Sequence, residues 1–137
     1  MKFQFYKELP QAAKIIRTKV FMQEQGFENE FDDIDQHCLH LVIFKDDKPV
    51  GCARMFEENQ QMVLGRIAVL KEYRHLHLGS YILECLEEKA KELDFYEAIL
   101  SAQVRASDFY KKNGYEKYGE EYLDEYCPHI HMKKRLD

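Results

Sequence analysis

Several features that would narrow the function are absent from this sequence. It has no CxxC pair, no uncharged run long enough to span a bilayer, and no apolar N-terminal core like that of a signal peptide. We therefore expect a cytoplasmic protein without disulfides and without a membrane partner. Neither GxxxxGK[ST] nor GxGxxG occurs, so nucleotide hydrolases of the P-loop type and Rossmann dehydrogenases lack their usual sequence support.

Acidic residues outnumber basic residues. Twenty Lys and Arg residues stand against 25 Asp and Glu residues, and the one basic cluster, Lys133–Arg135, is too short to follow many phosphates. We therefore expect no nucleic-acid partner. Tryptophan is absent, but nine Tyr and nine Phe residues contribute to an apolar fraction of 45%, which is ordinary for a soluble domain. We expect residues 1–137 to form a single domain.

The cysteines and histidines allow two interpretations. The four cysteines lie far apart in sequence and are typical of small core residues. The clusters HCLH (His37–His40) and CPHIH (Cys127–His131) could instead form two halves of a metal site in a hydrolase. On a strand, however, Cys127 and His131 lie roughly 13 Å apart, which is too far for one ion. We expect no metal and keep the His/Cys metal hydrolase as a weaker alternative.

The pattern of apolar residues predicts an α+β fold, with a mixed, mostly antiparallel central sheet flanked by helices. Between the first helix and the second strand, GFENEFDDIDQ carries five acids and no base and predicts a loop. The predicted elements are a strand Lys2–Tyr6, a helix from Pro10 to about Gln25, strands Leu39–Phe44, Pro49–Phe56 and Met62–Leu70, a helix from Leu78 to Leu93, a strand Tyr96–Val104, a short helix Ala106–Lys112, and extended segments Tyr115–Tyr118 and His129–Lys133.

The start of the Leu78 helix predicts an anion site. Backbone N–H groups at a helix N-terminus lack partners and carry partial positive charge, which favours phosphates. Arg74 adds a full charge nearby, and we interpret Gly79 as letting a ligand approach the backbone. A plain strand-to-helix turn would also explain Gly79, but it does not require the neighbouring Arg74 and His77.

This stretch resembles the acetyl-CoA signature of the GNAT superfamily of N-acetyltransferases. The family pattern is Arg or Gln, two variable residues, Gly, one variable residue, then Gly or Ala. Here RHLHLG places His77 at the first glycine position, which leaves open whether this histidine weakens or reshapes the loop. The resemblance implies a loop that cradles the pyrophosphate of acetyl-CoA, formed by Arg74, His75, Leu76, His77, Leu78, Gly79 and Ser80.

Other segments follow the order of the family. GRIAV resembles the strand whose backbone binds the pantetheine arm, which implies contacts to Ile67, Ala68 and Val69. AQVRASDFYKKNGY resembles the segment with the catalytic tyrosine, so Tyr110 is expected to protonate the CoA thiolate. VFMQEQ, DDIDQHCLH and PHIHM resemble the smaller ElaA-like subgroup, and the resemblance spans nearly the whole chain.

The implied reaction is transfer of an acetyl group from acetyl-CoA to a primary amine of a small molecule or peptide, by direct attack. No general base is equally clear, because an apolar residue occupies the region where the family often has Glu. Glu24, His40 and His129 remain candidates for this role or for substrate binding. The substituted glycine and the missing base leave a non-catalytic CoA-binding sensor or interaction module as an alternative. We expect a monomer or a homodimer.

Arg54 and Arg66 suggest a negative partner. If the hairpin turns about Gln60, these arginines face one another across the ladder, where like charges are destabilising. A carboxylate from the acidic loop could lie between them, or a carboxylate or phosphate of the acceptor. We give the two possibilities equal weight and treat both arginines as candidate substrate-binding residues.

Overall fold

The computed structural model describes residues 1–137 and contains seven strands and three α-helices. The strands are β1 (Lys2–Tyr6), β2 (Leu39–Lys45), β3 (Lys48–Glu58), β4 (Gln61–Val69), β5 (Glu97–Gln103), β6 (Glu116–Asp124) and β7 (Cys127–Arg135). The helices are α1 (Gln11–Arg17), α2 (Leu78–Glu92) and α3 (Ser107–Lys112). None of them combines the length and apolar character that a bilayer crossing requires.

The seven strands form one sheet in the order β1-β2-β3-β4-β5-β7-β6. Every neighbouring pair is antiparallel except β4 and β5, which are parallel. Alternate side chains of β2 point to opposite faces of the sheet. Leu41 and Ile43 pack with α2, whereas Val42 packs with α1. The predicted α+β fold with a mostly antiparallel sheet between helices is confirmed.

Two-residue turns form the β2–β3 and β3–β4 hairpins, at opposite ends of β3. Asn59 and Gln60 both have positive φ, 52° and 65°, as do Asp46 and Asp47 in the preceding hairpin. Positive φ at both central residues matches the twist of the flanking strands. The hairpin predicted to turn about Gln60 is therefore present.

The first helix differs from the prediction in helix type, and the last hairpin differs in its boundaries. After Arg17 the first helix continues to Glu24 as a π-helix, whose wider turns change the direction of its side chains. Strand β6 extends to Asp124, well beyond the predicted Tyr118. Its residues are mostly exposed and charged because β6 is an edge strand, so it lacks the apolar alternation by which strands are found.

Candidate active site

Strands β4 and β5 separate within the sheet. They pair only over Met62–Leu64 and Ala98–Leu100, whereas β4 continues to Val69 and β5 to Gln103. Beyond the last pair, main-chain groups on the facing edges have no neighbouring strand to bond. The sheet therefore has an internal cleft in which an extended ligand could take the place of a strand.

A cavity of about 280 Å³ opens at this cleft. Strand β4 contributes Arg66 and Ile67, and α3 contributes Tyr110. The opposite wall comes from the first helix, the acidic loop and the β6–β7 hairpin, and includes Phe21, Gln25, Phe27, Glu30, Asp124, Glu125 and His129. Among the residues predicted from sequence, the cavity brings together Tyr110, Ile67, Arg66 and His129. It does not include Glu24, His40 or Arg54, nor the predicted cofactor-binding residues Ala68, Val69, Arg74, His75, Leu76, His77, Leu78, Gly79 and Ser80.

Tyr110 is half-buried in the cavity wall. Its ring packs edge-on against Phe109, at 5.0 Å between centroids, and against Tyr115, at 6.0 Å. Burial raises the pKa of Tyr110 to about 12, and its hydroxyl makes no side-chain hydrogen bond in the structure. The phenol therefore keeps its proton at neutral pH and has that proton available for a ligand.

His77 provides the backbone shape that a glycine would give. It precedes α2 with φ 59° and ψ 25°, in the left-handed region, and no side chain caps the helix. The first N–H groups of α2 therefore have no capping partner and stay available to an anion. The loop keeps an open helix N-terminus even though His77 stands at the glycine position.

Gly79 has a different role from the one we inferred. A Cβ added at Gly79 would lie 2.8 Å from Cζ of Phe109, which is too close for any side chain. The interpretation that Gly79 admits a ligand is wrong for this face, because the ring of Phe109 fills it. Gly79 instead lets α3 pack against the first turn of α2, next to Tyr110.

Arg74 is held by protein groups. Its Nε donates to the Val69 carbonyl at 3.1 Å, and its two terminal nitrogens lie 2.5 and 2.8 Å from the carboxylate of Glu24. This bidentate hydrogen bonding lowers the pKa of Glu24. Glu24 is therefore a poor general base, and it lies outside the cavity. Its contact with Arg74 ties the first helix to the end of β4.

Three arginines and three acids form a network beneath the acidic loop. Arg17 is 1% exposed, and it contacts Glu30 Oε2 and Asp35 Oδ1, each at 2.7 Å. Burial opposes ionisation of Asp35, but hydrogen bonds from Arg17 and Arg54 outweigh burial and hold its pKa at about 2. Burial raises the pKa of Glu30 despite its arginine partners. The network fixes the loop to one face of the sheet.

The partner of Arg54 and Arg66 is the acidic loop. Arg54 contacts Asp32 at 2.7 Å and Asp35 at 2.9 Å, while Arg66 contacts Glu30 at 2.9 Å. The two arginines are not directly opposed, because a bulge pairs Arg54 with Gly65 and leaves Arg66 with φ 51°. An acceptor anion between them is therefore not needed, and Arg54 is corrected to a structural residue.

His40 is also structural. It is 1% exposed, and its Nε2 lies 2.9 Å from the Asp35 carbonyl oxygen. The donor atoms of Asp35, Cys38 and His40 lie within 4.8 Å of one another, but Arg17 and Arg54 already hold Asp35, and their charges disfavour a cation. Strands β3, β4 and β5 separate the HCLH and CPHIH clusters, so the two halves of the hydrolase site do not meet.

The acidic loop and the β6–β7 turn meet across the cavity. The carboxylate of Glu125 accepts N–H hydrogen bonds from Glu28 and Asn29, at 3.1 and 3.2 Å. Phe27 stacks on Tyr126 with 5.4 Å between ring centroids. These contacts build one wall of the cavity, and sequence reasoning missed the part that the β6–β7 turn contributes. No local pattern marks this contact, because Glu125 lies 97 positions from its partner Glu28.

Comparison with known proteins identifies the family. Residues 9–136 match the acetyltransferase (GNAT) domain model. The uncharacterized N-acetyltransferase YjcF of Bacillus subtilis is 38% identical over 125 residues, which cover 89% of each protein. The structure of Escherichia coli ElaA is 25% identical with a TM-score of 0.84, over 97% of this chain and 98% of that one.

A cofactor-bound structure is also similar in fold. A Bacillus anthracis protein solved in complex with acetyl coenzyme A has a TM-score of 0.66 and 21% identity, over 73% of this chain and 63% of that one. The divided sheet, the open N-terminus of α2 and the family match agree with one another. The chain therefore belongs to the GNAT family of N-acetyltransferases, among the relatives of ElaA.

Proposed function

We propose that this protein transfers the acetyl group of acetyl-CoA to a primary amine of a small molecule or peptide. The observation that carries the proposal is the cleft between β4 and β5, with Tyr110 in its wall. Main-chain groups of Ile67, Ala68 and Val69 bind the pantetheine arm in place of a strand partner. The acetyl thioester then lies where the cavity joins the cleft.

The loop before α2 binds the pyrophosphate. The main chain from His75 to Ser80 surrounds the open helix N-terminus, which favours negative charge. Arg74 supports this loop through its bonds to Val69 and Glu24, and its charge lies near the anion. Direct contact between Arg74 and the pyrophosphate requires partial release of Glu24.

Tyr110 acts as the general acid. The amine attacks the thioester carbonyl directly, and the departing thiolate is a better leaving group when it receives a proton. The phenol of Tyr110 keeps its proton at neutral pH because burial raises its pKa to about 12. Its hydroxyl has no competing side-chain partner, so it is free to donate to sulfur.

The acceptor enters through the wall opposite the cleft. Glu30, Asp124 and Glu125 line this wall with Gln25 and Asn29, which suits a cationic amine. We place the enzyme in the cytoplasm as a monomer or a homodimer, with no nucleic-acid or membrane partner and no metal.

A CoA-binding sensor of the same fold is the second candidate. It is favoured by His77 at the glycine position and by the engagement of Arg74 with Glu24. The discriminating experiment is a screen of polyamines, amino acids, aminoglycosides and peptides, read by release of free CoA thiol. Turnover with one of these amines supports the enzyme, whereas tight CoA binding without turnover supports the sensor.

A further inference from the structure

His129 has one ring nitrogen without a hydrogen-bond partner. It lies in β7 opposite Gln103, and it is 7% exposed. Its Nδ1 lies 2.9 Å from the Cys127 carbonyl oxygen, which can only accept, so in the neutral ring Nδ1 carries the proton. Nε2 makes no hydrogen bond. It is not fully buried either, because Arg54 Nε is the one fully buried side-chain nitrogen or oxygen that lacks a partner. His129 Nε2 is therefore accessible, and His129 lines the cavity.

The imidazole is held in a fixed orientation. Phe27 packs against it edge-on at 6.4 Å between centroids, and Tyr122 lies at 6.0 Å with its ring tilted by 32°. These contacts and the hydrogen bond to the Cys127 carbonyl leave the lone pair of Nε2 free to accept a proton. A base oriented by a third group in this way is a recurring arrangement in catalysis.

The other titratable groups of the cavity are paired, exposed to solvent or assigned to another step. Oε2 of Glu30 contacts both Arg17 and Arg66, so protonating Glu30 would remove the anion that these guanidinium groups share. Glu125 already accepts two main-chain N–H groups. Asp124 is exposed to solvent, and Tyr110 serves the thiolate. His129 is the buried cavity group with an uncommitted acceptor.

We propose that His129 is the general base for the acceptor, an inference that rests on the proposed function. Nε2 takes a proton from the acceptor ammonium, and the neutral amine forms the N–C bond to the thioester carbonyl. The C–S bond then breaks with its electron pair on sulfur. Tyr110 gives its proton to sulfur and regains one from the new amide nitrogen, and the imidazolium of His129 releases its proton to solvent.

The test uses two acceptors of nearly the same shape, ethylamine and methoxyamine. Ethylamine is cationic at neutral pH and needs a base, whereas methoxyamine is already neutral. His129→Asn keeps an N–H for the Cys127 carbonyl but lacks a base. It should lower kcat/KM for ethylamine by about 10²–10⁴-fold and for methoxyamine by less than about tenfold. His37→Asn replaces an exposed histidine that does not line the cavity, and this control should match the wild type with both amines.

Equal losses with both amines, or normal turnover of ethylamine by His129→Asn, would overturn the assignment. A second measurement requires no turnover. Diethyl pyrocarbonate acylates accessible, unprotonated imidazole nitrogens and should modify His129 in the folded wild type, as mapped by mass spectrometry. Lack of modification at His129 while His131 reacts would also overturn the assignment. Failure of the wild type to release thiol with any amine in the screen would instead reject the proposed function.

Discussion

At the scale of single residues, the loop before α2 contains two residues with a strained backbone. His75 and His77 have φ values of 69° and 59°, in the left-handed region. A residue with a side chain pays about 1–2 kcal/mol for this conformation, because its Cβ approaches a carbonyl oxygen. Glycine has no such contact. The strain therefore lies where we propose that the pyrophosphate binds, and surrounding packing must hold it.

Replacing His77 by glycine should relieve this strain. We expect His77→Gly to raise the free energy of unfolding in urea by about 1 kcal/mol without loss of CoA affinity. His37→Gly is the control, because His37 has φ −133° and should gain nothing. If both variants lose stability to the same extent, His77 is not strained. If only CoA binding falls, the side chain of His77 contacts the cofactor.

Local motifs identified only part of the site. Tyr110 and Ile67 were predicted from short segments and lie in the cavity. Glu125 was missed, because its position depends on a contact between distant segments, the bond from Glu28 to Glu125. Gly79 was misinterpreted for the same reason, since Phe109 lies in another helix. The sequence indicates which chemical groups are present, but not which of them already have a partner in the folded protein.

At the scale of elements, the helices and strands with a strong apolar periodicity were predicted well, and those without it were not. Helix α2 was predicted nearly to its ends, because its apolar stripe has helical spacing. The central strands were likewise located within two residues. The π-helical segment Thr18–Glu24 has the same apolar spacing as an α-helix, so sequence could not distinguish it. The exposed edge strand β6 lacks a buried face altogether.

The contact between α2 and α3 provides a test at this scale. Gly79→Ala should destabilise the protein by about 1–3 kcal/mol, because the new methyl group overlaps the ring of Phe109. Phe109→Leu should recover part of this loss in the double variant, and the coupling is measured by a double-mutant cycle in urea. Strict additivity of the two changes would show that these residues do not share the contact.

At the scale of the whole molecule, the buried arginine network joins the acidic loop to the sheet. Arg17 connects α1 to Glu30 and Asp35, and Arg66 connects the same loop to β4 beside the cleft. Removing one partner of a buried pair leaves an uncompensated charge. The network therefore stabilises the fold and holds in place the loop that lines one side of the cavity.

Arg17→Lys should show that geometry matters as well as charge. Lysine cannot reproduce the forked contacts to Glu30 and Asp35, so we expect a loss of about 3 kcal/mol or more in unfolding free energy. Lys2 forms an exposed pair with Asp47, and Lys2→Ala should change stability by less than about 1 kcal/mol. Equal effects of the two substitutions in urea unfolding would contradict this account of the network.

Acid stability should report the charge of Asp35. Its pKa is about 2 in the folded protein, below the value of about 3.9 for an unfolded aspartate. The stabilisation is therefore complete above pH 4 and is lost as the pH falls toward 2. The raised pKa of Glu30 has the opposite sign, since its contribution weakens as the pH rises. Asp35→Asn should flatten the acid side of the stability curve, whereas parallel curves would reject the assignment.

The most direct test of the proposed enzyme is Tyr110→Phe, which keeps the ring in the cavity wall and removes only the proposed proton donor. Its kcat is measured with the acceptor found in the screen, under conditions where chemistry limits turnover, and acetyl-CoA affinity is measured by calorimetry. The account predicts that kcat falls by about 10²–10⁴-fold with little change in affinity. A normal kcat in this variant would contradict the account.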